Sequence, residues 1–528
     1  MRRVSAAGLA AALVLASAGA ALAGGILHRG NGPEPVSLDP YRARSLSDMH
    51  VLHDIGEGLV AVSAAGAVVP GAAERWETSP DGKVYTFHLR ADARWSNGDP
   101  VTAEDFVFSL RRAVDPATGA EYAALLGVIA GAEAIRSGQE TDLATLGVAA
   151  RDLRTVTVTL ARPAPYLPQI LAMPVAFPVH RPTLEAFGDR FMRPDHAVGN
   201  GAFVLAEWVP QSHVAVVRNP NFHHAGAVAL DRVVFHATED PAAELRRFRA
   251  GALDVTYEVP ADQIPWIERN LAGAYRATPV LATYFYGINL GRAPLGAHPG
   301  LRRALSLAID REALVAKVTR GGERPALGRV PPGMPGYVPA DPPWARLTRA
   351  EREAEARRLF AESGYGPGRP LRLTLLYNTN ENHRRTAIAV AGMWRQVLGE
   401  VEFAHDTREG RVYVQNRRQR DFELARASWF ADLADPANFL DMFESAAGPR
   451  NEWGYANPRF DALLREAGTE PDAARRLALL REAEAVLLED PPFIPLFHHT
   501  ARHLVSDRVK GWADNALDLH PSRHLSVE

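Results

Sequence analysis

Two hydrophobic periods take turns along this chain. Val84 to Leu89 sets Tyr85, Phe87 and Leu89 against polar partners, and Thr155 to Leu160 repeats the two-residue alternation. Both read as half-buried strands. After the Asn97-Gly98 turn the period lengthens: Phe106, Leu110 and Ala113 share one face, and Thr102 with Asp105 has capping-box spacing, predicting a helix up to Pro116. Earlier, the Leu38-Asp39-Pro40 turn closes an extended start, and a helix begun near Ser47 ends in Asp54 to Val60. Gly199 to Trp208 predicts a glycine turn then a strand, continued by VAVVRNPNFH. Arg247 to Val259 predicts a helix ending at Gly251 and a strand after it, and Ala282 to Leu290 a strand rich in aromatics. Leu301 to Val318 reads as one helix, begun by Pro299 and stopped by Gly321-Gly322. Thr348 and Glu351 open a helix whose Ala356, Leu359 and Phe360 share a face. Leu371 to Asn378 is a strand, followed by a helix presenting Ile388, Ala391 and Trp394, and Asp472 to Leu488 is a helix leading into PPFIPLF. The pattern is α/β alternation in two large blocks without an internal repeat.

Composition narrows the class. With 528 residues and 47% hydrophobic content, the chain supports more than one domain. The net charge of −3 carries no basic stripe with interleaved aromatics, which argues against nucleic acid as a partner. At the N-terminus, Arg2 and Arg3 precede an apolar run from Ala6 to Leu22, and Ala21-Leu22-Ala23 has the small-x-small pattern of a cleavage site. Residues 1–23 therefore read as an export signal. There is no cysteine, which excludes a disulfide scaffold and a lipoprotein anchor alike. The expectation is a periplasmic protein, soluble after signal removal.

The chemistry concentrates in ARASWFADLADPANFL, residues 425–440. A strand-like run from Glu423 to Phe430 meets a carboxylate, Asp432, with Trp429 close by. Such a strand can pair with an extended ligand while the Asp counters an ammonium group. The plainer alternative is a core strand followed by a Pro-started helix with Asp435 near its cap. No HExxH, Walker A, GxSxG or EF-hand spacing is present, which argues against a hydrolase and gives no catalytic residue. His498, His499 and His503 form the densest histidine group, but neighbours on a strand face opposite ways, so no metal and no cofactor are expected.

Several stretches together resemble the oligopeptide-binding proteins of ABC importers, in family 5 of the extracytoplasmic solute-binding proteins. They are SLDPYRA, DIGEGLV, YTFHLRADARWSNGDPVTAEDFVFSLRRAVDP, GNGAFVL, RNPNF, GALDV, INLGRAPL, LRRALSLAIDRE, LLYNTNENHRR and FELARASWFADLADPANFL, in family order from about residue 29 to 440. Among the dipeptide, nickel, sugar and oligopeptide branches, LLYNTNENHRR and ARASWFAD look like the oligopeptide branch. The resemblance implies an α/β two-lobed periplasmic-binding-protein (flytrap) fold with three domains, one inserted. Residues 24–57, 181–283 and 499–528 would form the core of lobe I, 58–180 its inserted domain, and 284–498 lobe II. It also implies a monomer that closes on short peptides and delivers them to the membrane permease subunits of an importer, doing no chemistry itself. A receptor for a dipeptide, murein peptide, metal chelate or opine stays open as an alternative, as does a peptide-binding chaperone.

By family position, Asp432 would pair with the peptide's α-ammonium. Ser428, Trp429 and Phe430 would ladder with its backbone on one side, and a strand near Arg44, Ser45 and Leu46 on the other. Arg426, Arg417 and His383 would present cations to the carboxylate of peptides of different length. Tyr122, Tyr284, Phe285 and Tyr286 are candidate pocket walls. Some relatives tie the strands near Ala282 and Phe430 by a cysteine pair, absent here, and some are acidic where this chain has Arg44.

Overall fold

The computed structural model describes residues 25–528; the export signal expected at residues 1–23 lies outside them. Three larger sheets organise these residues. Ile26–Gly30 pairs in parallel with Arg232–His236, which continues antiparallel to His213–Arg218 and Phe203–Val209. A second sheet orders Ala73–Thr78, Val84–Leu89, Thr155–Thr159 and Val148–Asp152, all antiparallel. The third has six strands, in the order Arg324–Pro325, Phe493–Leu504, Tyr275–Ile288, Leu424–Phe430, Leu371–Asn378, Val401–Arg408.

The periodicity explains much of this. Tyr85, Phe87 and Leu89 point together into the core of the second sheet, and the Ala103–Val114 helix lays Phe106, Leu110 and Ala113 onto it. Asp105 accepts from the Thr102 amide at 2.7 Å, and Glu351 from the Thr348 amide at 2.7 Å, so both capping boxes form. Asp472 caps Ala473–Glu489 by accepting from the Arg475 amide at 2.8 Å.

Four expectations need correction. The expected Leu301–Val318 helix is broken: Pro299–Leu307 ends, and Asp310 caps a new helix, Arg311–Leu314, by accepting from the Ala313 amide. Ile388 is 48% exposed; Glu381–Leu398 instead buries Ala387, Val390, Ala391 and Trp394. After Gly251 no regular strand forms, because Val255 makes only single bridges, to Arg29 and Val505. Nor is there a strand at Arg44 to Leu46. Ser45 caps the helix Leu46–Ile55, and the Asp48 carboxylate takes the amides of Arg44 and Ser45 at 2.8 and 3.0 Å, leaving neither free for a ladder.

Two strands tie the sheets together. Tyr275–Ile288 and Phe493–Leu504 pair from Tyr275 with Leu504 to Gly287 with Phe493, and the ladder is interrupted between Pro279 and Thr283. At their outer end Leu504 accepts from Thr256 and Ala274 from Val505, while at the other end both strands lie inside the six-stranded sheet.

Candidate functional site

The site begins with an unequal pairing. Leu424–Phe430 pairs with Tyr275–Ile288 along its whole length, but with Leu371–Asn378 only at Leu424 and Ala425. From Arg426 to Phe430 the other edge carries no strand. The phase follows from the Ala431 amide, which donates to the Leu281 carbonyl at 2.8 Å. Alternation of an antiparallel ladder then turns the peptide groups of Arg426, Ser428 and Phe430 to the open edge. The Tyr413 hydroxyl caps the Arg426 carbonyl there. Ala282 and Phe430 stand directly opposite each other in the paired edge.

Beyond the strand the chain turns at Asp432. Asn438 Oδ1 accepts from both the Trp429 indole and the Asp432 amide, at 3.1 Å each, so indole and carboxylate are set by one amide group. Burial pushes the Asp432 carboxyl up to about 6, partly offset by Asn438. Among the described residues no cation pairs with it. Asp435, by contrast, is gripped by Arg476 through two bonds of 2.7 and 2.9 Å. Asp432 borders a cavity of about 510 Å³ that also touches Leu46, Met49, Tyr122, Tyr166 and Leu517. Burial and the nearby Asp432 carboxylate hold the Tyr122 hydroxyl up at about 12. Across this cavity the Ala434 amide donates to Gln169 Oε1 at 2.8 Å, and the Arg476 guanidinium lies 5.1 Å from the Tyr166 ring.

At the other end of the strand Arg426 donates to Ser428 Oγ at 2.9 Å and stacks 4.8 Å over Tyr284. Its Nε is buried without a hydrogen-bond partner, and among the described residues no carboxylate pairs with it. The Tyr284 hydroxyl meets His383 Nδ1 at 3.2 Å, and Ser428 Oγ meets His499 Nε2 at 3.1 Å.

Arg426, Ser428, Trp429 and Phe430 thus lead along one strand to Asp432, with Tyr122 on the cavity beside it and His383 against the Tyr284 hydroxyl; the remaining candidates stand differently. His383 is no cation: burial, then Arg426, pushes it down to about 3. Arg417 is already taken, donating to Glu452 at 2.8 Å and to the Tyr413 hydroxyl at 2.9 Å. Tyr284, Phe285 and Tyr286 are 3%, 1% and 0% exposed, core residues rather than pocket walls; Phe285 packs under the Arg329 guanidinium. Arg44 pairs with Glu121 at 2.6 Å, and of the three residues at 44–46 only Leu46 reaches the cavity. His498 bonds Thr283 and His503 bonds Asp518, so the histidine group does not converge. Asn438, Gln169 and Arg476 were not singled out from the sequence; Gln169 lies 265 positions from its partner, and no local pattern marks it.

Residues 67–451 match the model of the bacterial extracellular solute-binding proteins, family 5. The chain belongs to that family. Among its relatives, the periplasmic oligopeptide-binding protein OppA of Haemophilus influenzae is 36% identical over 488 residues, 92% of this chain and 90% of its own. The probable deoxycholate-binding periplasmic protein YgiS of Escherichia coli is 37% identical over 501 residues, covering 94% and 92%. The solved murein tripeptide binding protein MppA of Escherichia coli superposes with a TM-score of 0.83 at 36% identity, covering 95% of this chain and 98% of that one. The two-lobed α/β fold of family 5 is therefore the fold of this chain.

Proposed function

We propose that this protein is a periplasmic receptor, not an enzyme, that encloses short extended peptides between two lobes and passes them as a monomer to the permease subunits of an ABC importer. The observation that carries the reading is the open edge at Ser428 and Phe430 running into an uncompensated carboxylate, Asp432. A peptide adds to such an edge as a further strand, and its α-ammonium supplies the missing counter-charge. Arg426, equally without a carboxylate, is suited to receive the opposite terminus. The three-domain division at 24–57, 58–180, 181–283, 284–498 and 499–528 belongs to the same reading. Each of the two linking strands crosses one of its boundaries, Tyr275–Ile288 at 283/284 and Phe493–Leu504 at 498/499.

Native mass spectrometry of the freshly purified protein tests the ligand class. Mixed short peptides support the reading; one defined mass points to a dedicated receptor for another solute. Calorimetry tests the anchor. Asp432→Ala should weaken free-amine peptides far more than N-acetylated ones, and equal losses would remove Asp432 from the role. Because burial pushes the Asp432 carboxyl up to about 6 and it must ionise to pair with an ammonium, affinity should rise with pH through that value. Asp432→Asn should flatten that rise.

A further inference from the structure

The cavity beside Asp432 has a chemistry narrower than the strand edge, and this inference rests on the peptide-receptor reading. Its wall is built largely from side chains such as Met49, Tyr122, Tyr166, Met173, Leu517 and Leu519. The other ionisable groups on the wall are spoken for. Asp435 is paired with Arg476, and burial pushes His53 down to about 3, leaving it neutral. What remains is a single uncompensated carboxylate in an apolar chamber. Its volume of about 510 Å³ exceeds what a lone ammonium needs.

The complement of such a chamber is an ammonium carrying an apolar substituent a few bonds away. We propose that it selects peptides whose first residue bears a large apolar or aromatic side chain. A first-residue lysine would bring a second cation to a wall whose remaining carboxylate is already taken. A first-residue glutamate would set a second anion beside Asp432. Either charge would be enclosed without a partner, which apolar walls penalise. Later residues pair through their backbones along Ser428 and Phe430, where side-chain identity matters less. Selection falls at position one, and tolerance follows it.

Calorimetry on the full mature protein decides this with a tripeptide series: Phe-Ala-Ala, Leu-Ala-Ala, Gly-Ala-Ala, Lys-Ala-Ala and Glu-Ala-Ala, with Ala-Ala-Phe as the position control. The Phe-first and Leu-first peptides should bind on the order of tenfold tighter or more than the Gly-, Lys- and Glu-first ones, as burial of a large apolar side chain provides. Ala-Ala-Phe should not share the gain. Met173→Trp, filling the chamber, should bring the Phe-first affinity down to the Gly-first level, with the melting curve reporting the fold. Met49→Trp repeats the test from another element if Met173→Trp melts early. Equal affinities across the series, or a preference for Lys or Glu, would overturn the selection while leaving the receptor reading intact. Failure of every free-amine tripeptide to bind would instead overturn the receptor reading. Deoxycholate, an anionic amphiphile, binding more tightly than Phe-Ala-Ala would overturn the charge assignment of the chamber.

Discussion

A carboxyl raised to about 6 by burial makes the empty protein less stable than it could be. The folded state holds the Asp432 proton more tightly than the unfolded chain, where the group titrates near its ordinary 3.8. Stability from this group is therefore full below the ordinary value and lost as pH rises towards 6. Asp432→Asn should raise the melting temperature of the empty protein at pH 7.5 and change it little near pH 3.5, while weakening peptide binding. A rise of equal size at both values would contradict the burial argument. His383 carries the opposite lesson. Since it is neutral across the physiological range, His383→Ala should alter peptide affinity without any change in pH dependence between 5.5 and 8, whereas Arg426→Ala should act selectively on some lengths in an alanine series. At this scale residue type was readable and charge state was not. LLYNTNENHRR marks His383 as a candidate for the site, but burial first and Arg426 second, neither visible in that motif, push it down to about 3. Likewise Tyr284, Phe285 and Tyr286 look alike in sequence as candidate walls, and packing from other segments makes all three core residues.

Among elements, those specified by their own residues were legible. Both capping boxes formed as their spacing predicts, and Leu371–Asn378 has the expected bounds. Failures came where one side chain redirected the backbone: Asp310 restarts a helix, and Asp48 collects two amides that a strand would have needed. The segment after Leu424–Phe430 shows a contact no local pattern predicts. Asp435 reads as a helix-entry residue, and it does accept from the Ala437 amide at 2.9 Å, yet its main partner is Arg476. Both side chains of that pair are buried, at 7% and 5% exposure, so Arg476→Met should strand a carboxylate and cost about 3–5 kcal/mol in denaturant unfolding. Adding Asp435→Asn should recover part of the loss, and no recovery would show that Arg476 acts through packing alone.

For the molecule as a whole, the pairing of the two linking strands is interrupted between Pro279 and Thr283, which is where bending between lobes is expected. Ligand contacts made by both sides of the cavity favour the closed arrangement. Small-angle scattering should give a smaller radius with a saturating peptide than without, and an unchanged profile would count against a closing receptor. The open edge from Arg426 to Phe430 has a consequence of its own. An edge that accepts almost any backbone does not distinguish nutrient from neighbour: another copy's exposed chain is also a peptide. The edge is short, running only from Arg426 to Phe430, which limits the room for sheet-to-sheet stacking. On the receptor reading, the unliganded state is then the one open to self-assembly, and a bound peptide would double as a shield against it.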